Sequence, residues 1–446
     1  MTEAAAARGP ARSAGAGQAA RGRARSAGAG QAERPQTVRL FRALLYSLIF
    51  ASSGAQLAIV PILPAYAHRL GLSGLAQGAL LSATGLATLA FCLPTGALSD
   101  RVGARRLTLW AGALMTAALL TQAAAPSFPI LFASRLVFGL GFGMIWTAGL
   151  SWLADVAPGG SSLGGSVASA GAGGAVGPAL AGAGVQYLGL TAPFLAAAMV
   201  FALITAALGL LRVPAPAPAP AAPVSASLRA AAGDSRTIWA AAAIVTAGVT
   251  TGVSALLVPE RLHATGASPG QIGLAFSIAG ALFVAASTLT AAAGGRAVRA
   301  PVAFAGILAL ALAVSPAALT LAPWAVVTML CATTAARSVL WTVSYPLAAT
   351  GAQRCGAGLG VVMGLLNGVW AATALLSPLL AGLAAEHVSA RAVFATTEAA
   401  CVMTLAATIV LARRTRHPDQ SVRCAGPRPA ASNAAARPAG RGQGER

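Results

Sequence analysis

Twelve apolar stretches of roughly twenty residues follow one another from residue 43 onward, each long enough to cross ~30 Å of hydrocarbon as a helix. They fall near 43–64, 75–97, 107–125, 128–153, 162–184, 190–211, 237–258, 270–292, 302–322, 324–349, 356–383 and 390–412. Polar residues are confined to short connections, which predicts twelve membrane helices with both chain ends on one side. The longest break, 212–236, carries RVPAPAPAPAAP, the composition of an extended Pro-Ala linker. It divides the chain into a six-helix bundle over 43–211 and a second over 237–412. Residues 1–42 and 413–446 are rich in Arg, Ala, Gly and Pro without an apolar run, and are expected as disordered tails. No 7–15-residue apolar segment in the first of them precedes a cleavage site, so it does not read as a signal peptide.

Composition agrees with the pattern. Hydrophobic residues make up 57% of the 446, charged ones 9%, and mean hydropathy is +0.74, too few polar groups for a water-facing shell. A soluble enzyme is excluded. All 30 basic residues are arginine, against 10 acidic ones, for a net charge of +20. Because these arginines lie in the tails and between apolar runs, the partner they imply is anionic membrane lipid and not nucleic acid. With the N-terminus in the cytoplasm, Arg101, Arg105, Arg106, Arg212, Arg229, Arg236, Arg296, Arg299, Arg354 and both tails lie inside, leaving Arg69, Arg261 and Arg391 outside. The positive-inside rule therefore predicts two cytoplasmic termini. Abundant Ala, Gly, Arg and Pro point to a GC-rich bacterial genome, hence to a bacterial inner membrane. The five cysteines show no C-x-x-C spacing and no histidine cluster, so neither a metal nor another cofactor is expected.

The chain also resembles itself. A shift of 195 aligns Pro64 with Pro259, His68 with His263, Ser73 with Ser268, Gly78 with Gly273 and Gly85 with Gly280; a shift of 200 aligns Pro178 with Pro378 and Gly182 with Gly382. Six helices per unit is an even number, so the repeats enter the membrane in the same sense, and a cavity between two parallel bundles is the expected product.

The connection after the second run reads Gly96-Ala97-Leu98-Ser99-Asp100-Arg101-Val102-Gly103-Ala104-Arg105-Arg106. It resembles the signature G-x-L-x-D-R-x-G-R-[RK] of the major facilitator superfamily, departing from it at Ala104. Arg135-Leu136-Val137-Phe138-Gly139-Leu140-Gly141 is similar to the family's R-x-x-x-G-x-G, and Pro61-Ile62-Leu63-Pro64 and Gly173-Gly174-Ala175-Val176-Gly177-Pro178-Ala179-Leu180-Ala181-Gly182, with Ala181 replacing one glycine, are similar to motifs of its twelve-helix drug:proton antiporter branch. The resemblance implies alternating access between two bundles, with Asp100 latching the cytoplasmic side together with Gly96, Arg101, Gly103, Arg105 and Arg106. Gly96 and Gly103 are expected to form the turn. The bland alternative for this loop is a topogenic basic connection with a solvated aspartate.

Small residues at four-residue spacing, among them Gly173 and Gly177 on helix five and Gly356, Gly360, Gly364 and Gly368 on helix eleven, form ridges for close helix packing. With Pro178 and Gly182 they are expected to pack and, by the resemblance, to gate the bundles.

Three charges stand inside spans: Arg135, Arg337 and Glu398. A charge at a helix centre costs roughly 2.5–3.5 kcal/mol on insertion scales, so each needs a function or a partner. Arg337, Trp341 and Tyr345 share one face of helix ten at i, i+4 and i+8, with the indole expected against the guanidinium. Arg135 and Trp146 share a face of helix four. By the resemblance these line the substrate cavity with Gln56, Asn367 and Trp370; structural ties to carbonyls or neighbouring helices are the alternative. Glu398 is the proton-coupling candidate, on a helix the resemblance makes peripheral.

The function expected is secondary export of a small molecule, anionic or neutral, coupled to a proton or another ion. A sugar or metabolite permease of the same superfamily is the alternative, followed by a non-transporting membrane sensor. No paired-carboxylate, His-rich or nucleophilic constellation supports an enzyme.

Overall fold

The computed structural model describes residues 35–156, 160–211, 213, 224–357 and 359–414, and these are almost wholly helical. Twelve long helices follow in order: α1 (Pro35–Leu70), α2 (Gly74–Val102), α3 (Ala104–Ala124), α4 (Phe128–Met144, continued through Ile145–Gly149 and Leu150–Val156), α5 (Gly160–Leu188), α6 (Ala192–Leu210), α7 (Ser235–Ala264), α8 (Pro269–Ala292), α9 (Ala300–Leu319), α10 (Pro323–Cys355), α11 (Leu359–His387) and α12 (Ala390–Arg414). Eleven are apolar and long enough to cross a membrane; the other is the glycine-rich α5. A short helix, Val224–Ala232, lies in the linker between α6 and α7.

Differences from the expected boundaries are local. Helix one begins at Pro35, so residues 35–42, assigned above to the tail, are helical. Proline at N1 costs no hydrogen bond there. Gly96 lies within α2 and not in a turn, whereas Gly103, at φ 94°, separates α2 from α3. Gly356, at φ 68°, ends α10 and is not part of the α11 ridge; glycine takes this left-handed backbone without strain. Arg413 and Arg414, assigned above to the other tail, end α12; the remainder of both tails lies outside the described residues.

Local chemistry sets the helix starts. The Asp234 carboxylate accepts from the backbone N–H groups of Arg236 and Thr237, both at 3.0 Å, and opens α7. Ser268 and Gln271 form a reciprocal capping box at the start of α8, satisfying donors that the first turn leaves free.

The helices form two parallel six-helix bundles around a central cavity. The start of α1, the end of α12 and the helix Val224–Ala232 mark one face, called here the terminal face; the connections α1–α2, α5–α6, α7–α8 and α11–α12 mark the far face. Within the first bundle α1 packs along α5, where a Cβ at Gly173 would meet the Phe50 carbonyl and one at Gly177 the Gly54 backbone. In the second bundle α7 meets α11 in the corresponding way, Gly248 against Thr373 and Gly252 against Ser377.

Two seams join the bundles. Along α2–α11, Gly74 faces the Gly382 carbonyl, Gly78 that of Pro378, and Gly85 the backbone of Ala374 and Leu375. Along α5–α8, Gly182 faces the Pro269 carbonyl, Gly273 that of Pro178, and Gly280 the backbone of Ala175. The sequence repeat thus becomes two equivalent helix crossings. Both seams occupy the far-face half of the molecule. Toward the terminal face, among the described residues, nothing stands within 4 Å of a Cβ placed at Gly364 or Gly368, and Phe91 on α2 is exposed. The closest approaches between the bundles among the described residues therefore lie in the far-face half.

Candidate transport cavity

Arg135, on the far-face half of α4, is 1% exposed. Its guanidinium donates to Gln56 Oε1 of α1 at 3.1 Å and lies 4.9 Å from the centre of the Phe138 ring. Its Nε has no hydrogen-bond partner. Arg337, midway along α10, donates to Thr251 Oγ1 of α7 at 2.8 Å and to Thr334 Oγ1 of its own helix at 3.3 Å. Among the described residues no carboxylate pairs with either guanidinium. Both positive charges are held by neutral oxygens, which orient them without cancelling them.

Between the arginines and the terminal face runs a chain of aromatic rings. Phe142 and Trp146 of α4 have centroids 6.2 Å apart. Phe142 lies 6.4 Å from Trp370 of α11, which meets Trp341 of α10 edge-on at 6.2 Å. Trp341 stacks on Tyr345 at 5.6 Å, and the Tyr345 hydroxyl donates to Asn367 Oδ1 at 2.8 Å. The chain crosses from one bundle to the other at the Phe142–Trp370 step. Trp146 sits in a π-helical turn, Ile145–Gly149, a local widening that re-aims side chains and recurs at functional sites. Its indole N–H is buried without a partner.

Of the eight residues expected to line a cavity, Gln56 and Arg135 meet each other, Trp146, Trp341, Tyr345, Trp370 and Asn367 belong to the ring chain, and Arg337 is held by Thr251 and Thr334. One detail differs. Trp341 lies on Tyr345, while the Arg337 guanidinium turns to the threonines; an accepting hydroxyl from the neighbouring helix outcompetes the indole face. Glu398 is not brought to this group. It accepts from the Ser315 hydroxyl at 2.8 Å, between α12 and α9.

The α2–α3 connection is described in part. The side chains of Asp100 and Arg101 and the surroundings of Gly96 lie outside what the structure describes. Arg105 donates to the carbonyls of Gly209 and Leu211 at 2.8 and 3.1 Å. It thus caps the C-terminal end of α6, where a cation is favoured by the helix dipole, and it does so within its own bundle. Arg106 is exposed. Of the ridge residues, Gly173 and Gly177 pack inside the first bundle, Pro178 and Gly182 at the α5–α8 seam, and Gly364 meets no neighbour among the described residues; the Cβ side of Gly360 lies outside the described residues.

Sequence reasoning missed the threonines that hold Arg337, the π-helical turn, and the far-face pair Gln186 and Glu386. The pair had a signal, since a shift of 200 places one on the other.

The family model described as Major Facilitator Superfamily matches residues 45–258. The quinolone resistance protein NorA of Staphylococcus aureus strain MRSA252 is 30% identical over 111 residues, 25% of this chain and 28% of that protein. The same protein from strain Mu50 is 29% identical over the same length. The chain thus matches under a third of the length of these relatives. Among solved structures, a bacterial homolog of the human lysosomal transporter Spinster, inward-facing and unoccupied, superposes with a TM-score of 0.61 at 16% identity, covering 86% of this chain and 96% of that one. Its occupied form gives 0.61 at 15%, covering 88% and 98%. At that identity the likeness concerns the fold.

Proposed function

We propose that this chain, a multi-pass transporter of the major facilitator superfamily, exports a small molecule across a bacterial inner membrane by alternating access, coupled to a proton. The observation that carries the reading is the ring chain from Phe142 to Tyr345, which crosses between the bundles one helical turn from Arg337, a cation held among the described residues by threonine hydroxyls. A molecule lying there touches both bundles, so its contacts change when they rock. That differential contact is what lets a ligand shift a two-state equilibrium.

The termini and the 212–236 linker are taken as cytoplasmic on the arginine asymmetry. On that orientation the closest approaches between the bundles lie in the half away from the cytoplasm. The substrate class is an anion or a neutral molecule with an aromatic part. A buried guanidinium favours an arriving carboxylate or phosphate through charge-assisted hydrogen bonds, and the rings offer faces for stacking. Export is supported by the similarity to a quinolone resistance protein over 111 residues.

For coupling, Glu398 is the candidate proton carrier; its place beside Ser315 makes any coupling indirect. Asp100 is the candidate latch at the terminal face. Counterflow of aromatic carboxylates in proteoliposomes, with and without an imposed proton gradient, tests the reading. Saturable exchange accelerated by the gradient is expected; uptake driven with the opposite sign assigns import, and no flux of any tested solute returns the protein to a non-transporting role.

A further inference from the structure

At the far face the two seams end in the same device. On one, Glu386 at the end of α11 accepts from the Leu75 N–H of α2 at 2.8 Å through Oε1 and also takes the Ser73 hydroxyl. On the other, Gln186 at the end of α5 accepts through Oε1 from the Gly270 N–H of α8 at 3.2 Å and from the Ser268 hydroxyl at 3.0 Å. The correspondence extends atom by atom. Ser73 Oγ accepts from the Ala76 N–H at 3.3 Å, and Ser268 Oγ from the Gln271 N–H at 3.3 Å. Leu75 and Gly270 differ by 195 positions, Glu386 and Gln186 by 200. In each case a side chain from one bundle completes the N-cap of a helix in the other.

We propose that Glu386 and Gln186 are paired latches that hold the far face of the transporter shut, the first charged and the second neutral. A serine cap supplies one acceptor, while the first turn of a helix presents several free donors. The carboxamide or carboxylate from the opposite bundle accepts another, so separating the bundles at this face exposes a donor that must find water. Glu386 adds charge at the positive end of a helix dipole, which makes its latch the stronger. Neither contact survives parting of α2 from α11 or α5 from α8, so both stabilise one state of the cycle alone. The glycine crossings beneath, Gly78 on Pro378 and Gly273 on Pro178, define how closely the helices approach; the latches fix the ends.

The inference rests on the alternating-access reading, and its test reads bundle separation directly, so that failure of the latch and failure of transport are distinguishable. Spin labels on His68→Cys and Val388→Cys, in a background without native cysteines, report the distance across the far face by pulsed electron resonance in nanodiscs. Both positions are exposed and on opposite bundles. Glu386→Ala with Gln186→Ala is expected to raise the long-distance population roughly five- to tenfold, as for the loss of an N-cap. Gln186→Glu, which places a charge on the neutral latch and keeps its accepting oxygen, is expected to lower it. The opposite signs guard against a general loosening of the fold. Unchanged distributions in both properly inserted variants, or shifts in the same direction, overturn the proposal whatever the transport assay shows.

Discussion

Gln56 Oε1 and the Arg135 guanidinium meet at 3.1 Å between α1 and α4, with Arg135 1% exposed. A cation buried in a helix bundle is here fixed by one amide oxygen. Removing the amide leaves the charge without that partner, which costs more than the hydrogen bond itself contributes. Gln56→Leu is expected to destabilise the detergent-solubilised protein by about 2 kcal/mol, measured by thermal unfolding. Gln56→Leu with Arg135→Met removes both polar groups and is expected to recover most of the loss. A double variant as unstable as the sum of the singles would show that the pair is not coupled.

Arg337 is expected to govern substrate charge. Arg337→Ala should weaken binding of an aromatic carboxylate by ~2 kcal/mol or more, as for a lost charged partner. Arg337→Lys should recover it in part, since an ammonium cannot reproduce the guanidinium fork. Scintillation proximity binding on purified protein measures both. Robust export of ethidium-like cations, unchanged in Arg337→Ala, would count against an anionic or neutral site.

The latch assigned to Asp100 predicts that Asp100→Asn abolishes most transport while leaving expression and substrate binding near normal, because it weakens a contact made in one conformation only. Arg105→Ala should behave differently. It removes the cation from the C-terminal end of α6 and is expected to lower thermal stability by roughly 0.5–1 kcal/mol. Wild-type transport rates in Asp100→Asn return the loop to a topogenic role.

Glycines at the seams and away from them should respond in opposite ways. A Cβ at Gly78 runs into the Pro378 carbonyl, whereas one at Gly364 meets none of the described residues within 4 Å. Gly78→Ala is expected to oppose closure of the far face and Gly364→Ala to leave this conformation unstrained. Reactivity of a cavity cysteine to a permeant maleimide, compared with an impermeant one applied at each face, reads the shift. Equal reactivity in the two variants removes the seam from the gating argument.

Topology is testable apart from mechanism. Ser225, exposed on the linker helix, is expected on the cytoplasmic side. Labelling of Ser225→Cys by an impermeant maleimide from outside intact cells would sink the orientation.

Membrane character, twelve helices and their division into sixes were legible in the sequence because the bilayer imposes a length of apolar chain on every crossing and leaves the polar residues to the connections. The repeat was legible for a related reason: close crossings require small residues at fixed positions, so Gly78, Gly273, Pro178 and Pro378 kept the trace of two equivalent seams. Arg135 and Arg337 stood out because a charge in hydrocarbon needs an explanation. What they touch did not. Gln56 lies 79 positions from Arg135, and Thr251 lies 86 from Arg337; no local pattern carries a pairing across that separation. The ridge on α5 read the same whether it served α1 or α8, since a glycine records closeness and not the identity of its neighbour. Tertiary packing alone decided that Gly173 and Gly177 face α1 and that Pro178 and Gly182 face α8. It also decided that Glu386 and Gln186, unremarkable as residues at helix ends, each complete a helix cap in the opposite bundle.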